Sequence, residues 1–204
     1  MIHIVTYRWG DTFTQEHVDI LRSMCERHIH VPFKFTCFEE DAPFNELPRC
    51  YKRLWLYSNE ASVYFKGDRI LLLDLDLVIT DDITSIIEAN DPFAYYNKNH
   101  VEYQGAFQII TPGLKSYIWD EFISNPDRNM KDFGSIGSDQ GWLHHKMDKG
   151  LKVYTEHDGF YCFDIHIKRK PKLPENCKIV FFRAQYKPWN FRKRRPLWLV
   201  EHWR

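Results

Sequence analysis

An aliphatic run that ends in two carboxylates constrains the fold of this chain more than any other segment. Residues 70–73 are four consecutive aliphatic side chains, and Asp74 and Asp76 follow them with only Leu75 between. Four apolar residues in a row are typical of a central parallel strand that is covered on both faces. In open α/β sheets the carboxyl ends of such strands form the edge where ligands bind. The segment therefore predicts a buried strand that carries two acidic side chains to a ligand-binding edge.

Strand and helix patterns alternate along the first half of the chain. Apolar side chains at Val18, Leu21 and Cys25 follow helical spacing after Thr14, which can cap the helix. Further patterns predict strands at 2–7, 33–38, 69–73, 93–96, 106–110 and 178–182, and helices at 47–57, 113–123 and 138–147. The order predicts an α/β fold with an open, mixed and mostly parallel sheet that is flanked by helices.

The composition excludes several classes of protein. The 204 residues include 28 Lys and Arg and 28 Asp and Glu, so no global positive charge attracts nucleic acid. No apolar run approaches the length of a membrane span, and no secretory leader is recognisable. The five cysteines are odd in number and include no Cys-x-x-Cys pair, so reduced thiols are expected. We expect residues 1–204 to form a single domain of a cytoplasmic protein.

The two carboxylates after the aliphatic run suit a divalent metal ion. Alternation along a strand would place Asp74 and Asp76 on the same side, and their hard oxygen atoms suit Mg²⁺ or Mn²⁺. Haloacid-dehalogenase-type phosphatases use this pattern for a nucleophile and an acid/base, whereas nucleotide-sugar transferases use it to hold a metal on a diphosphate. The phosphatase pattern usually lies on the first strand, but here 73 residues precede Asp74. The position favours the transferase and leaves the phosphatase as an alternative.

Five motifs, in this order, resemble those of GT-A glycosyltransferases. Within that fold the chain is similar to family-8-like enzymes related to glycogenin and the bacterial galactosyltransferases, and its length resembles compact viral or bacterial members. The resemblance covers most of the chain. It includes Thr6-Tyr7-Arg8-Trp9-Gly10, Lys52-Arg53-Leu54-Trp55, Asp74-Leu75-Asp76, Ser138-Asp139-Gln140-Gly141, and the segment from Phe181 to Trp189.

The resemblance implies a nucleotide-binding half at 1–80 and a sugar or acceptor half at 81–204. In the first half it implies that Thr6, Tyr7 and Arg8 line the base and ribose. The Asp74-Leu75-Asp76 segment would bind the donor, with Asp74 and Asp76 as metal ligands. Arg53 is placed near the diphosphate or sugar, as a catalytic cation.

In the second half, the resemblance implies that Asp139 and Gln140 contact the donor or acceptor sugar, with Asp139 as the best candidate for a catalytic carboxylate. It also implies that Lys187 neutralises the leaving diphosphate and that Arg183 and Trp189 belong to the donor site. Four tryptophans offer faces for sugar stacking: Trp142, Trp189, Trp198 and Trp203.

Two segments depart from the family pattern. Arg183-Ala184 stands where the family has His-Gly, although Lys187 is retained. Arginine cannot be a metal ligand. Three alternatives therefore remain: two carboxylates with phosphates and water, a replacement ligand such as His202, or direct contact of Arg183 with phosphate. Gln104-Gly105-Ala106 also replaces an Asn-Ser-Gly type segment, which puts sugar contacts there in doubt.

The activity that the resemblance implies is transfer of a sugar from a uridine diphosphate (UDP) sugar to a glycan or protein-linked acceptor. It would depend on Mn²⁺ or Mg²⁺ and retain the anomeric configuration. A noncatalytic nucleotide-sugar-binding module is an alternative besides the phosphatase. Two basic runs, at 168–172 and 192–195, can face an acidic glycan, a membrane surface in peripheral contact, or another domain.

Overall fold

A computed structural model of the protein describes residues 1–89, 91–96, 104–133, 138–148, 150–170, 172–183, 185–191 and 195–204. Its strands are β1 Ile2–Tyr7, β2 Phe33–Phe38, β3 Arg69–Leu73, β4 Leu77–Ile79, β5 Phe93–Tyr96, β6 Gln104–Ile110, β7 Lys152–Tyr154, β8 Phe160–Cys162 and β9 Ile179–Phe181. Its α-helices are α1 Gln15–His28, α2 Asn59–Tyr64, α3 Thr84–Glu88, α4 Tyr117–Ser124, α5 Pro126–Phe133, α6 Asp139–Lys146 and α7 Leu197–His202. Short 3-10 helices occur at Arg49–Tyr57 and Glu156–Asp158, and a π-helical turn at Phe163–Ile167.

Six strands form the main sheet, in the order β2-β1-β3-β6-β5-β7. β1 pairs in parallel with β2 and β3, and β5 pairs in parallel with β7. The two pairs that involve β6 are antiparallel. The sheet is thus mixed and mostly parallel, with helices around it in a single domain, which confirms the predicted fold class.

The aliphatic strand β3 is covered on both faces, as its sequence predicts. Ile70 and Leu72 pack in the cluster that contains the 3-10 helix Arg49–Tyr57, whereas Leu71 and Leu73 pack with α1. All four side chains are at most 1% exposed. Alternate residues therefore bind two layers of helices to the sheet, and the strand's carboxyl end is held rigidly.

A second, three-stranded sheet begins immediately after the two carboxylates. Its order is β4-β9-β8, with β9 antiparallel to β4 and parallel to β8. Asp74 and Asp76 lie in the turn between β3 and β4, so the prediction that they follow strand alternation was wrong. The chain leaves one sheet for another here, while Leu75 stays in the core at 1% exposure. The turn sets the acidic pair at the junction of the two sheets.

Two predicted helices start later than their patterns indicate. The helix predicted at 113–123 begins at Tyr117, because Gly113 takes a left-handed φ of 80°. The helix predicted at 47–57 is a 3-10 helix from Arg49 to Tyr57, and Ser58 then caps α2 by accepting a hydrogen bond from the backbone N–H of Ala61. In the part of the chain that the structure describes, no helix has the length and apolar character needed to cross a bilayer.

Candidate active site

Asp74 and Asp76 each face a different cation. The Nη1 of Arg53 donates to Oδ1 of Asp74 at 2.5 Å, and the Nζ of Lys187 donates to Oδ2 of Asp76. The side chain of Asp74 is 30% exposed and that of Asp76 is 10% exposed. The structure thus brings together four predicted site residues from three separate segments of the chain.

Arg53 is the centre of a buried hydrogen-bonded network. Its Nε and Nη2 donate to the two carboxylate oxygens of Asp139 at 3.0 and 2.8 Å, and Nη1 also donates to the carbonyl of Gly105 at 3.3 Å. Arg53 is 4% exposed and Asp139 is 1% exposed. A two-point contact of this kind fixes the plane of the guanidinium. The network therefore holds Arg53 in one orientation toward Asp74.

Two local features place Asp139 at the network. It is the first residue of α6, whose N-cap Ser138 accepts a hydrogen bond from the backbone N–H of Gln140. The backbone N–H of Asp139 donates to the Sγ of Cys50, one turn before Arg53 on the 3-10 helix. Both oxygens of Asp139 are occupied by Arg53, so this geometry favours a positioning role. The catalytic role stays a prediction, and it would require the pair to open.

The charges in this network shift the pKa values of its members. Burial disfavours the charged form of Arg53, but the carboxylates of Asp139 and Asp74 outweigh this effect and raise its pKa. Burial also raises the pKa of Asp74 to about 6; Arg53 opposes this shift, and the negative charges of Asp76 and Asp139 add to it. Asp74 therefore lies in a site crowded with negative charge, which favours a further cation.

Lys187 reaches Asp76 from the segment after β9. This segment is anchored by Trp189, whose ring lies 4.1 Å from that of His17 on α1 and 5.9 Å from that of Trp203. Lys187 itself is 21% exposed, in contrast with Arg53. Trp189 packs against the hydrophobic core, and its role in the donor site stays a prediction. The cation is thus attached to a fixed segment but lies at the surface.

Asp74 and Asp76 are the residues that could hold a metal ion. Their hard oxygen atoms fit Mg²⁺ or Mn²⁺, with phosphate and water completing the shell. No cluster of three His, Cys, Asp or Glu occurs among the described residues.

Two alternatives for the metal shell involve Arg183 and His202. Arg183 donates to both oxygens of Asp164 at 2.9 and 2.8 Å, and the ring of His202 lies 6.1 Å from that of His28. Arg183 is thus paired with a carboxylate, and the groups that complete the metal shell stay a prediction; Ala184 lies outside the described residues.

A cavity of about 480 Å³ lies where β1 and β2 end, and Trp9 links it to Arg53. Arg8, which the resemblance places in the donor site, lines this cavity and donates to Glu39. The Arg53 guanidinium lies 5.9 Å from the centre of the Trp9 ring. The remaining lining residues are Gly10, Cys37, Glu39, Glu40 and Asp41. The cavity is therefore an acidic and aromatic recess, which Trp9 and Arg53 connect with Asp74.

Three residues predicted to contact the donor have their side chains in the interior. Thr6 and Tyr7 are 0% and 4% exposed, and neither hydroxyl has a hydrogen-bond partner among the described residues. Burial raises the pKa of Tyr7. The side chain of Leu75 packs in the core. Since β1 is flanked on both sides in the sheet, only its end at Arg8 opens toward the cavity.

Two parts of this cavity's lining were not identified from the sequence, namely Trp9 and the acidic run at 39–41. A sequence signal for the acidic run was present, because parallel strands β1 and β2 end at the same edge of the sheet and the run follows β2 directly.

Two further residues that were predicted to contact a sugar lie on α6. Gln140 is half-buried beside Asp139 in the first turn of this helix. Trp142 is 2% exposed and its Nε1 donates to the carbonyl of Ile118, so it is a core residue.

The fold is similar to those of solved glycosyltransferases. A glycosyltransferase involved in the glycosylation of the major capsid of PBCV-1 is 16% identical, with a TM-score of 0.56 over 88% of this chain and 91% of that one. Streptococcus pneumoniae TIGR4 GlyE is 17% identical, with a TM-score of 0.61 over 97% of this chain and 59% of its own. An active-site mutant of LgtC is 11% identical, with a TM-score of 0.58 over 92% of this chain and 89% of that one.

Comparison of the sequence with protein-family models and with curated proteins gives no match. At the identities above, similarity to solved structures establishes the fold alone. The chain spans about three fifths of GlyE, so that protein has a substantial part with no counterpart here.

Proposed function

We propose that this protein is a glycosyltransferase that moves a sugar from a UDP-sugar to a glycan or protein-linked acceptor, with Mn²⁺ or Mg²⁺ held by Asp74 and Asp76. One observation carries the proposal. Two carboxylates lie in the turn between two sheets, each opposite a cation, and Arg53 connects Asp74 through Trp9 with the cavity at the ends of β1 and β2. Carboxylates that can bind a metal ion and cations that can bind a diphosphate therefore lie in one place. The family-8-like resemblance of the motifs and the shared fold agree with it.

In this proposal the nucleoside occupies the cavity beside Trp9. The carboxylates of Glu39, Glu40 and Asp41 can accept hydrogen bonds from ribose hydroxyls, and the indole of Trp9 offers a flat apolar face to the base. The diphosphate would then extend past Trp9 toward Arg53 and Asp74. In this order the nucleoside lies at the end of β1, the diphosphate between Arg53 and Lys187, and the sugar beyond Lys187.

The two cations perform different tasks in the transfer. Glycosyl transfer develops negative charge on the leaving diphosphate, and fixed cations at that position stabilise the transition state. Lys187 can turn from Asp76 to a phosphate oxygen because it is partly exposed. Arg53 is held by Asp139 and keeps Asp74 in place. When bound, the divalent ion would supply further positive charge to the phosphates.

Retention of the anomeric configuration is part of the proposal and rests on the family-8-like resemblance. In the structure, both oxygens of Asp139 accept hydrogen bonds from Arg53. We therefore assign Asp139 to the positioning of Arg53 and include no protein nucleophile in the mechanism. The phosphatase alternative would use Asp74 and Asp76 as nucleophile and acid/base, and the similarity of the fold to solved glycosyltransferases does not support it.

Calorimetric titration of UDP tests the proposal. We expect micromolar binding in Mn²⁺, loss of binding in EDTA, and at least ten-fold weaker binding by Asp76→Ala in Mn²⁺. Asp132→Ala is the matched control, because that carboxylate forms an exposed pair with Arg128 on α5. Absence of UDP binding by the wild-type protein, or binding that EDTA and Asp76→Ala leave unchanged, would contradict the proposal. A donor screen by UDP release would follow a positive result.

A further inference from the structure

A second cavity, of about 660 Å³, is lined in part by Lys187. Its apolar wall includes Phe163, Phe191 and Trp198, and its rim includes Lys168 and Lys170. None of the described residues that line it is acidic. The cavity therefore combines flat apolar surfaces with positive charge, which differs from the acidic cavity at the ends of β1 and β2.

The apolar wall is preformed by packing within the protein. The ring of Phe163 stacks on Phe182 at 4.8 Å and meets Phe191 edge-on at 5.5 Å. Trp198 stacks on Phe182 from α7 at 6.5 Å. Phe163 and Trp198 are 5% and 7% exposed, so a small part of each ring faces the cavity, and this part is ordered before a ligand binds.

The lysines on the rim are available to a ligand. Lys168 and Lys170 are exposed, and neither forms an ion pair with a carboxylate in the part of the chain that the structure describes. Lys168 donates to the hydroxyl of Tyr186 at 2.6 Å and lies over that ring at 4.7 Å. Asp164, the acidic residue nearest to Lys168 in sequence, is paired with Arg183. The positive charge of the rim is thus not neutralised by the protein.

Lys187 connects this cavity with the candidate active site. Its side chain lines the cavity, and its Nζ contacts Asp76. An acceptor hydroxyl must lie beside the anomeric carbon, which is bonded to the diphosphate. Because the proposed diphosphate site ends at Lys187, the cavity opens where an acceptor would have to bind.

Resting on the proposed function, we propose that this cavity is the acceptor site and that it selects a saccharide that carries an anionic group. The sugar ring packs on the aromatic wall, and Lys168 and Lys170 bind the anion. A uronic acid and a phosphorylated sugar share this chemistry.

Three glycosides that differ at one position test the inference: phenyl β-D-glucoside, phenyl β-D-glucuronide and phenyl β-D-glucoside 6-phosphate. Binding of each is measured by calorimetry and by ligand-observed NMR. We expect at least one anionic glycoside to bind ten-fold more tightly than the neutral one. Preference for the glucuronide indicates a uronic acid acceptor, and preference for the phosphate indicates a phosphorylated one.

The double variant Lys168→Gln/Lys170→Gln should reduce the preference for the anionic glycoside about ten-fold and leave binding of the neutral one unchanged. Lys34→Gln/Lys131→Gln, at two other exposed lysines, should leave both unchanged. Equal binding of all three glycosides, or a preference that survives the Lys168/Lys170 variant, would overturn the inference.

UDP titration of the same samples separates this inference from the proposed function. UDP binding without anion preference overturns the acceptor site alone. Anion preference without UDP binding overturns the transferase proposal and, with it, the role of the cavity as an acceptor site.

Discussion

Asp74 and Asp76 are two residues apart, yet the protein holds them in opposite ways. Asp74 contacts a guanidinium that is 4% exposed and is itself fixed by Asp139. Asp76 contacts Lys187, which is 21% exposed and belongs to the segment after β9. Arg53 is thus part of the core, whereas Lys187 is partly exposed. If the site transfers a sugar as proposed, we expect substitutions of the two cations to separate stability from activity.

Replacing Arg53 should have the largest effect on stability. Arg53→Ala leaves the carboxylate of Asp139 buried without its partner, and removing one member of a buried ion pair costs about 3–5 kcal/mol. The free energy of unfolding in urea measures this loss. Arg128→Ala, which breaks an exposed pair on α5, should cost less than about 1 kcal/mol. A loss below about 1 kcal/mol for Arg53→Ala would show that the network is not part of the core.

Arg53→Leu/Asp139→Leu sharpens this test. Apolar replacement of both members of a buried pair is often nearly neutral, so the double variant should recover much of the stability that Arg53→Ala loses. Recovery would assign the loss to the unpaired carboxylate rather than to missing volume. Failure to recover would indicate that the contacts with Asp74 and Gly105 carry the effect.

Replacing Lys187 should show the opposite behaviour. Lys187→Ala removes a partly exposed cation, so the free energy of unfolding should change by less than about 1 kcal/mol. If Lys187 stabilises the leaving diphosphate, the rate constant of UDP release during transfer should fall about 100-fold, or about 2.7 kcal/mol. Lys34→Ala is the control at an exposed lysine. Equal activity of Lys187→Ala and the wild type would exclude this lysine from the reaction.

The parts of this site that depend on neighbours in sequence could be predicted, and the parts that depend on distant pairing could not. The aliphatic run before Asp74 indicates a strand end directly. The pair of Arg53 and Asp139 joins residues that are 86 positions apart, and no local periodicity encodes such a contact. The motif resemblance named both residues but did not show that they bind each other.

The turn at Asp74 and Asp76 illustrates a second limit. Apolar residues continue from β3 through Leu75 into β4, and the prediction of a shared side for Asp74 and Asp76 assumed that the strand geometry of β3 extends to them. The chain in fact passes from one sheet to another, and the aliphatic residues of β3 and β4 are equally buried. Hydrophobic patterning indicates which residues are buried but not which sheet they join. The prediction that Asp74 and Asp76 follow strand alternation was wrong for this reason.

Gly105 tests how tightly the network around Arg53 is packed. A Cβ at this position would lie 2.5 Å from Nη2 of Arg53, and the guanidinium has no free direction in which to move. Gly105→Ala should therefore destabilise the protein by about 1–3 kcal/mol. Gly67→Ala introduces left-handed strain of about 1–2 kcal/mol but meets no atom within 4 Å.

The two glycine variants differ most clearly in their effect on UDP binding. Gly105→Ala displaces Arg53 from Asp74, so the affinity for UDP in Mn²⁺ should fall, whereas Gly67→Ala should leave it unchanged. Calorimetry on both folded variants measures the difference. Wild-type affinity in Gly105→Ala would mean that the orientation of Arg53 is not required by the donor.

The smallest expected effect is a pH dependence that belongs to Asp74. Its pKa is raised from 3.8 to about 6 in the folded protein, chiefly because the site is buried. Between these pH values the folded chain holds a proton that the unfolded chain has lost, so this group stabilises the fold at low pH. The contribution disappears as the pH rises through about 6 and amounts to about 1–2 kcal/mol after allowance for solvent screening.

Asp74→Asn should remove this contribution. Other carboxylates, such as Asp68 and Asp82, have lowered pKa values and change stability in the opposite direction, so the relevant quantity is the difference between variant and wild type. That difference in unfolding free energy should vary between pH 4 and pH 6.5 and stay constant above it. A flat difference for Asp74→Asn would mean that Arg53 fully compensates the burial of Asp74, and that the two carboxylates are less different than their contacts indicate.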